Sequence, residues 1–381
     1  MSGPAEELRK LEAQGLLRGL LPLESAPGAR VVRGGRELWN FASNDYLGLA
    51  RHPEIEAAMI EGVRRHGAGA AASRLVCGTL APHVSFEEAL AEAKQTEAAL
   101  LFSSGFATAI GVVPAVVGKG DFVLLDKLCH ACLIDAARLS GAILRVFPHN
   151  DLVKLGRLLS SIRARDAEAR ILVVTESVFS MDGDLSPLAG IVDLTEKHEA
   201  LLLLDEAHGF GVLGARGMGL AERENLQQRV TFQMGTLSKA AGLFGGYLAA
   251  SRAWIDLLVN RARSFIYSTA PPPALAHAAS VSLALIRSES GTALRGKLAE
   301  NIALLGNSPT AIIPRIVGSN EAALTASAAL AGEGFMVPAI RFPTVPRGTA
   351  RLRVSLSAAH PPEAVAALAA AMADHTQTGA S

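Results

Sequence analysis

A lysine placed just past a buried strand can do covalent chemistry, and Lys239 occupies such a position in GTLSK (235–239). This follows the apolar run VTFQM (230–234) and precedes the glycine-rich stretch 242–246. Upstream, the run LLLLD (201–205) ends at Asp205 and continues Glu206, Ala207, His208, which sets an acid and an imidazole at a strand end. One helix and one strand fit between Asp205 and Lys239, so neighbouring strand ends can present both to one ligand, as open α/β sheets do. A loop lysine alone is ordinary surface; the aspartate is what singles this one out. A lysine amine forms a Schiff base with an aldehyde, while a buried aspartate keeps a pyridine nitrogen protonated so that the ring accepts electrons from a carbanion. The pair therefore points to pyridoxal 5'-phosphate.

Two further turns fit that reading. Ser103-Ser104-Gly105-Phe106 follows the run ALLF (99–102) and opens a helical stretch, where glycine lets backbone amides approach a phosphate at the positive helix end. Such a turn is also common punctuation between strand and helix. His130, just past FVLL (122–125), can stack on a flat ring, although a lone histidine is usually structural. Cys129 and Cys132 have redox or metal spacing, but no second CxxC or histidine pair completes a zinc site, so both are read as packing and no metal is expected. An apolar strand ending in Asp-Glu-Ala-His also resembles the magnesium motif of DEAH helicases. That reading needs a phosphate loop, and the nearest Gly-Lys, Gly118-Lys119, is followed by Gly120 and has Val113 where the first glycine belongs.

The elements that must hold these residues are legible as alternating helical patterns and short apolar runs, which argue for a mostly parallel α/β sheet. The strand runs are 99–102, 122–125, 143–147, 171–175, 201–205 and 230–234. A helical arm over 5–18 and a hairpin turning at Gly34–Gly35 precede them. Pro82 with Ser85 and Glu88 is spaced as a capping box, and Ser186–Pro187 reads as an N-cap with a first-turn proline. After Pro271–Pro273 come an alanine-rich helix and strand-like IIPRIV, AIRF and RLRVSL, read as a smaller C-terminal α/β domain. The division expected is an arm and hairpin over 1–48, a large cofactor domain over 49–272 and a small domain over 273–381.

Of 381 residues, half are hydrophobic, and 36 basic side chains balance 36 acidic ones. That balance excludes extended disorder and leaves no basic surplus for nucleic acid or an anionic membrane, so a small-molecule substrate is expected. Three cysteines are too few for a secreted disulfide framework, and the charged N-terminus lacks an apolar core, so a cytoplasmic location is expected.

Taken together, SNDYLGL (43–49), SSGF (103–106), DKLCHA (126–131), TESVFSMDGD (175–184), LLLDEAHGFGVLG (202–214), GTLSKA (235–240) and TVPRGTARLRVSLSAAH (344–360) resemble the α-oxoamine synthases, in that family's order. The resemblance implies the fold-type-I architecture, pyridoxal 5'-phosphate as cofactor, a homodimer with sites at the subunit interface, and condensation of an amino acid with an acyl thioester with loss of CO₂. It makes Lys239 the Schiff-base lysine and proton abstractor, Asp205 the pyridinium partner and His130 the stacking ring. His208 and Ser180 are implied at the phenolic oxygen; Thr236 and the amides of Gly105 and Phe106 at the phosphate; Ser268 or Thr269 at the partner subunit's phosphate. Asn44 and Arg353 are implied to hold the amino acid carboxylate, Arg18 and Thr344 to contact substrate, and Glu176 to support the site.

Within that family the tail AIRFPTVPRGTARLRVSLSAAH most resembles the members that join L-alanine to a pimeloyl thioester, on coenzyme A or an acyl carrier protein, in biotin synthesis. Aminolaevulinate synthases usually have Asn where Leu75 stands, and glycine C-acetyltransferases have a different tail. An inactive cofactor-binding partner subunit is the non-enzyme alternative, and such a chain is expected to lack Lys239.

Overall fold

The computed structural model describes residues 3–306 and 308–375; residues 1–2 and 376–381, which bound the first and last expected segments, lie outside them. The N-terminal helix spans Pro4–Ala13 and stops short of the expected 18 because Gly15 takes a left-handed φ of 63°. β1 (Arg30–Arg33) and β2 (Arg36–Asn40) then form the expected antiparallel hairpin. Gly34 and Gly35 both have positive φ at its tip, as a two-residue turn between right-twisted strands requires.

The chain folds as two compact units, of which the larger comprises residues 49–180 and 184–295. Its strands are β3 (Ala98–Phe102), β4 (Phe122–Asp126), β5 (Ile143–Phe147), β6 (Ile171–Glu176), β7 (Leu201–Asp205), β8 (Phe232–Thr236) and β9 (Gly246–Ala250). They form one sheet in the order β3-β9-β8-β7-β6-β4-β5, in which β9 alone runs against the rest. Helices cover both faces, and for that reason the strands read as unbroken apolar runs. On one face Val123, Leu125, Leu172, Val174, Leu203 and Met234 pack against Val112 and Val116 of the helix Gly105–Val116 and Leu133 of the helix Ala131–Leu139. Each such buried side chain contributes about 1.5–3 kcal/mol. Because β4, β6, β7 and β8 are parallel, their polar last residues Asp126, Glu176, Asp205 and Thr236 all emerge along one edge of the sheet.

Several local expectations need correction. β8 begins at Phe232, two residues late, because the Thr231 hydroxyl accepts the Leu202 amide and ends the connecting turn. β9 was not expected at all. Pro82, Ser85 and Glu88 lie inside the helix Ala81–Lys94, whose start is closed instead by His83 Nδ1 accepting the Leu80 amide. Pro187 rather than Ser186 precedes the helix Leu188–Lys197.

The smaller unit joins the N-terminal residues to 181–183 and the segment from 296 onward. β10 (Ile312–Gly318), β11 (Phe335–Met336), β12 (Ala339–Ile340) and β13 (Ala350–Ser355) complete two small sheets, ordered β1-β2-β11 and β10-β13-β12. Among the described residues no helix is long and apolar enough to cross a membrane.

Gly242 closes the turn after β8, donating its amide to the Lys239 carbonyl at 2.9 Å with φ of 69°. A Cβ there would lie 2.4 Å from the Leu49 carbonyl carbon and the Ala50 nitrogen. Gly242→Ala is therefore expected to destabilise the fold by about 2 kcal/mol or more, read as a lowered thermal midpoint.

Candidate active site

A cavity of about 200 Å³ opens at the strand ends of the larger unit, and it gathers Gly105, Phe106, His130, Asp205, His208, Thr236 and Lys239. Asp205 ends β7 and is 5% exposed, with Oδ1 accepting the Ala207 amide at 2.9 Å. Burial pushes its carboxyl up, while the nearby Lys239 charge and that amide oppose the rise. Lys239 projects from the turn after β8, and its Nζ meets Nε2 of the buried His208 at 2.8 Å. The amine thus stands beside a group able to exchange a proton with it, on the same cavity as the carboxylate.

The start of the helix Gly105–Val116 lines the same cavity. The Ser104 hydroxyl caps the helix Gly105–Val116 by accepting the Ala107 amide at 3.0 Å. The amides of Gly105 and Phe106 lie in the first turn, where helical N–H groups lack intrahelical acceptors. The Thr236 hydroxyl donates to the Gly245 carbonyl at 2.7 Å, which fixes the rim. Gly246 lets β9 approach this turn, since a Cβ on it would come within 2.4 Å of the Ser104 carbonyl.

His130 caps the helix Ala131–Leu139, with Nδ1 accepting the Cys132 amide at 3.2 Å. Burial holds the imidazole below its ordinary pKa, so its flat neutral form faces the cavity. The His130 amide donates to Glu176 Oε1. Cys129 and Cys132 are buried thiols whose pKa values burial pushes up. Among the described residues no group of three or more His, Cys, Asp or Glu side chains could hold a metal.

Other expected residues lie elsewhere. Ser180 is buried in the turn after β6 but does not line this cavity. Ser268 and Thr269 line a separate narrow cleft beside Arg74, with Thr269 bridged to Ser73. In the smaller unit, Arg353 Nη1 donates to Asn44 Oδ1 at 3.2 Å and to Ser355 Oγ at 2.8 Å, and Arg18 Nη2 donates to Thr344 Oγ1 at 3.3 Å. Arg353 is buried, and the Tyr46 hydroxyl shares Asn44 Oδ1 with it at 3.1 Å. Burial raises the Tyr46 pKa to about 12 against the opposing Arg353 charge.

One cluster escaped the reading of the sequence. His149 bridges Asp126 Oδ1 at 3.0 Å and Asp184 Oδ2 at 2.7 Å, and Asn150 donates to both carboxylates. Asp184 also accepts through its carbonyl from the Phe179 amide, so the cluster ties the turn that carries Ser180 to the end of β4.

The donor set fits pyridoxal phosphate: an amine for the aldehyde, a buried carboxylate for the pyridine nitrogen, a flat imidazole for the ring, and a glycine-opened helix start for the phosphate. Residues 36–372 match the aminotransferase class I and II family, and the chain belongs to it. The architecture is that of the fold-type-I enzymes: the chain superposes on a serine palmitoyltransferase from S. paucimobilis, carrying a PLP–myriocin aldimine, with TM-score 0.91 and 28% identity over 97% of this chain and 96% of the other. Curated relatives that it matches include 8-amino-7-oxononanoate synthases. That of Geobacter sulfurreducens is 48% identical over 97% of this chain and 96% of the relative, and that of Methylorubrum populi 48% identical over 97% and 93%. The solved synthase of Francisella tularensis matches with TM-score 0.75 and 25% identity over 88% of this chain and 98% of the other.

Burial works against a charge on His149, but the hydrogen bonds its ring donates to Asp126 and Asp184 outweigh it and raise the pKa from 6.5 to about 10. The stability this cation contributes is complete below 6.5 and is lost as pH rises through about 10. His149→Phe should lower stability by about 2–3 kcal/mol at neutral pH. In paired thermal melts, its deficit against the wild type should close as pH passes about 10.

Proposed function

We propose that this chain is a pyridoxal phosphate-dependent acyltransferase that joins L-alanine to a pimeloyl thioester, releasing CO₂ and the free thiol and giving 8-amino-7-oxononanoate for biotin synthesis. The observation that carries the reading is 48% identity to the synthases over 97% of the chain, with Lys239 and Asp205 on one cavity. Backbone likeness is greater to the serine palmitoyltransferases, but side chains rather than backbones select substrates, and identity there is 28%.

The bound cofactor supplies an electron sink that stabilises a carbanion at the amino acid Cα. Lys239 holds the cofactor and takes the Cα proton at Nζ, with His208 Nε2 beside it to keep the amine oriented and accept a hydrogen bond. Asp205 would keep the proton on the pyridine nitrogen, and His130 would stack on the ring. Thr236 and the Gly105 and Phe106 amides would bind the phosphate and His208 would serve the phenolic oxygen, with Ser180 placed in the turn after β6 rather than on the cavity wall. Arg353, steadied by Asn44, grips the alanine carboxylate with a fork of N–H donors that matches its two oxygens. Arg18 and Thr344 would contact substrate, and the thiol of the acyl donor is coenzyme A or an acyl carrier protein. A homodimer belongs to the same proposal, with Ser268 and Thr269 reaching the partner subunit's cofactor phosphate. The exposed apolar side chains of Val76, Phe106, Phe244 and Tyr267 are what a covered face would account for. Light scattering should give twice the chain mass.

The deciding experiment is an absorbance spectrum with pyridoxal phosphate, then alanine, glycine or serine, then pimeloyl-CoA. The wild type should show a lysine-dependent band and release CoA only with alanine. Lys239→Ala should lose the band and at least about a thousandfold in turnover. Arg353→Lys should raise KM for alanine about tenfold with less change in kcat. Preference for serine would move the chain to another reaction of the same mechanism, and no band would sink the cofactor assignment.

A further inference from the structure

The cavity holds a second buried acid that the proposed mechanism does not use. Glu176 ends β6 and Asp205 ends β7, and the two are partners in the parallel register. Neighbouring strands lie about 4.8 Å apart. Both side chains line the same cavity, so both point to the same side of the sheet. Glu176 is 2% exposed. On its other flank β4 ends in Asp126, which is also buried. In that register Asp126 falls opposite Thr175 and so faces the other side of the sheet, and Glu176 shares its dry setting with one carboxylate, Asp205, where like charges raise one another's cost of ionisation.

The neighbours decide which acid keeps its proton. Asp126 is paired with His149 at 3.0 Å. Asp205 takes the Ala207 amide, and the Lys239 charge favours its ionised form. Among the described residues the Glu176 carboxyl takes one hydrogen bond, from the His130 main-chain amide. Lys239, whose charge is shared with Asp205, and the imidazoles of His130 and His208 line the same cavity, and the buried thiols of Cys129 and Cys132 bring no positive charge. We infer that Glu176 is a positioning residue that remains a neutral carboxylic acid beside ionised Asp205 and fixes the His130 ring by holding its main-chain amide. Burial, reinforced by Asp205, pushes the Glu176 carboxyl up in the same direction. The role rests on the cofactor reading above, because His130 is positioned for a ring that Asp205 keeps protonated.

The test compares Glu176→Gln and Glu176→Ala with the wild type, reading pyridoxal phosphate affinity, the pH midpoint of the bound-cofactor band and kcat. Glutamine keeps both neutrality and the acceptor for the His130 amide, so affinity and kcat should stay within about threefold and the midpoint should move by less than about 0.3 unit. Alanine orphans a buried amide, so affinity or kcat should fall about tenfold or more. A midpoint displaced by about one unit in the glutamine variant would show that a charge had been removed, and would overturn the inference. Wild-type behaviour of the alanine variant would overturn it equally. Should the alanine variant not fold, the glutamine variant and its pH profile still decide. A wild type without any cofactor band would sink the cofactor reading itself, which is a distinct outcome from a normal band that shifts only in the variants.

Discussion

A carboxylate at the end of a strand of leucines loses most of its hydration, and the larger unit is organised around making that loss tolerable at Asp205. Moving such a group into a dry setting disfavours its charged form unless amides or cations answer it. Here the chain supplies the Ala207 amide from the following turn and the Lys239 charge from the neighbouring strand end. That requirement dictates the order β6-β7-β8, since only a parallel neighbour delivers its own last residue to the same edge. Lys239 in turn depends on the turn closed by Gly242, whose backbone conformation and close approach to Leu49 and Ala50 exclude a larger residue.

The same edge explains why the acids come as a row. Asp126, Glu176 and Asp205 close three adjacent parallel strands, and each has a different answer to burial: a shared imidazolium, a proton, and a lysine with an amide. These answers also hold the loops. His149 draws Asp184, and through it Phe179, to β4 while it neutralises Asp126, and Glu176 holds the start of the helix that presents His130. Charge compensation and loop placement are one interaction counted from two sides, which is why loss of a single partner should disturb geometry as well as stability.

The strand runs and the cofactor residues were legible because each announces itself locally. An apolar run ending in a polar residue marks a buried parallel strand, and Lys239, Asp205, His130 and the Ser104–Phe106 turn each sit at such an end. β9 was not legible, since a strand opening in glycine resembles a turn and its glycine is needed only because Ser104 packs on it. Helix starts were misread where a chemical cap was assumed: Ser85 has capping-box spacing, yet His83 does the capping from within the first turn. The His149 cluster was invisible for a different reason. Its members come from three separate segments, and nothing in the local pattern around any one of them signals the others. Ser180 fits the family's motif, yet in the larger unit its side chain lies outside the cavity that the other cofactor residues share.

Backbone and side chains carry different parts of the functional argument. A TM-score of 0.91 to a serine palmitoyltransferase and 0.75 to a synthase of the oxononanoate type shows that the backbone alone ranks the chemistries wrongly if read as substrate choice. What the shared backbone preserves is the strand-end geometry that any carbanion chemistry on this cofactor needs, and that demand is the same for serine, glycine or alanine. Selection among them must come from side chains that meet the substituent on Cα and the acyl chain, where one methylene changes discrimination by only about 1–3 kcal/mol. Small energetic margins of that size leave no trace in the fold, but they are set by side chains, and it is in the side chains that this chain is 48% identical to the synthases.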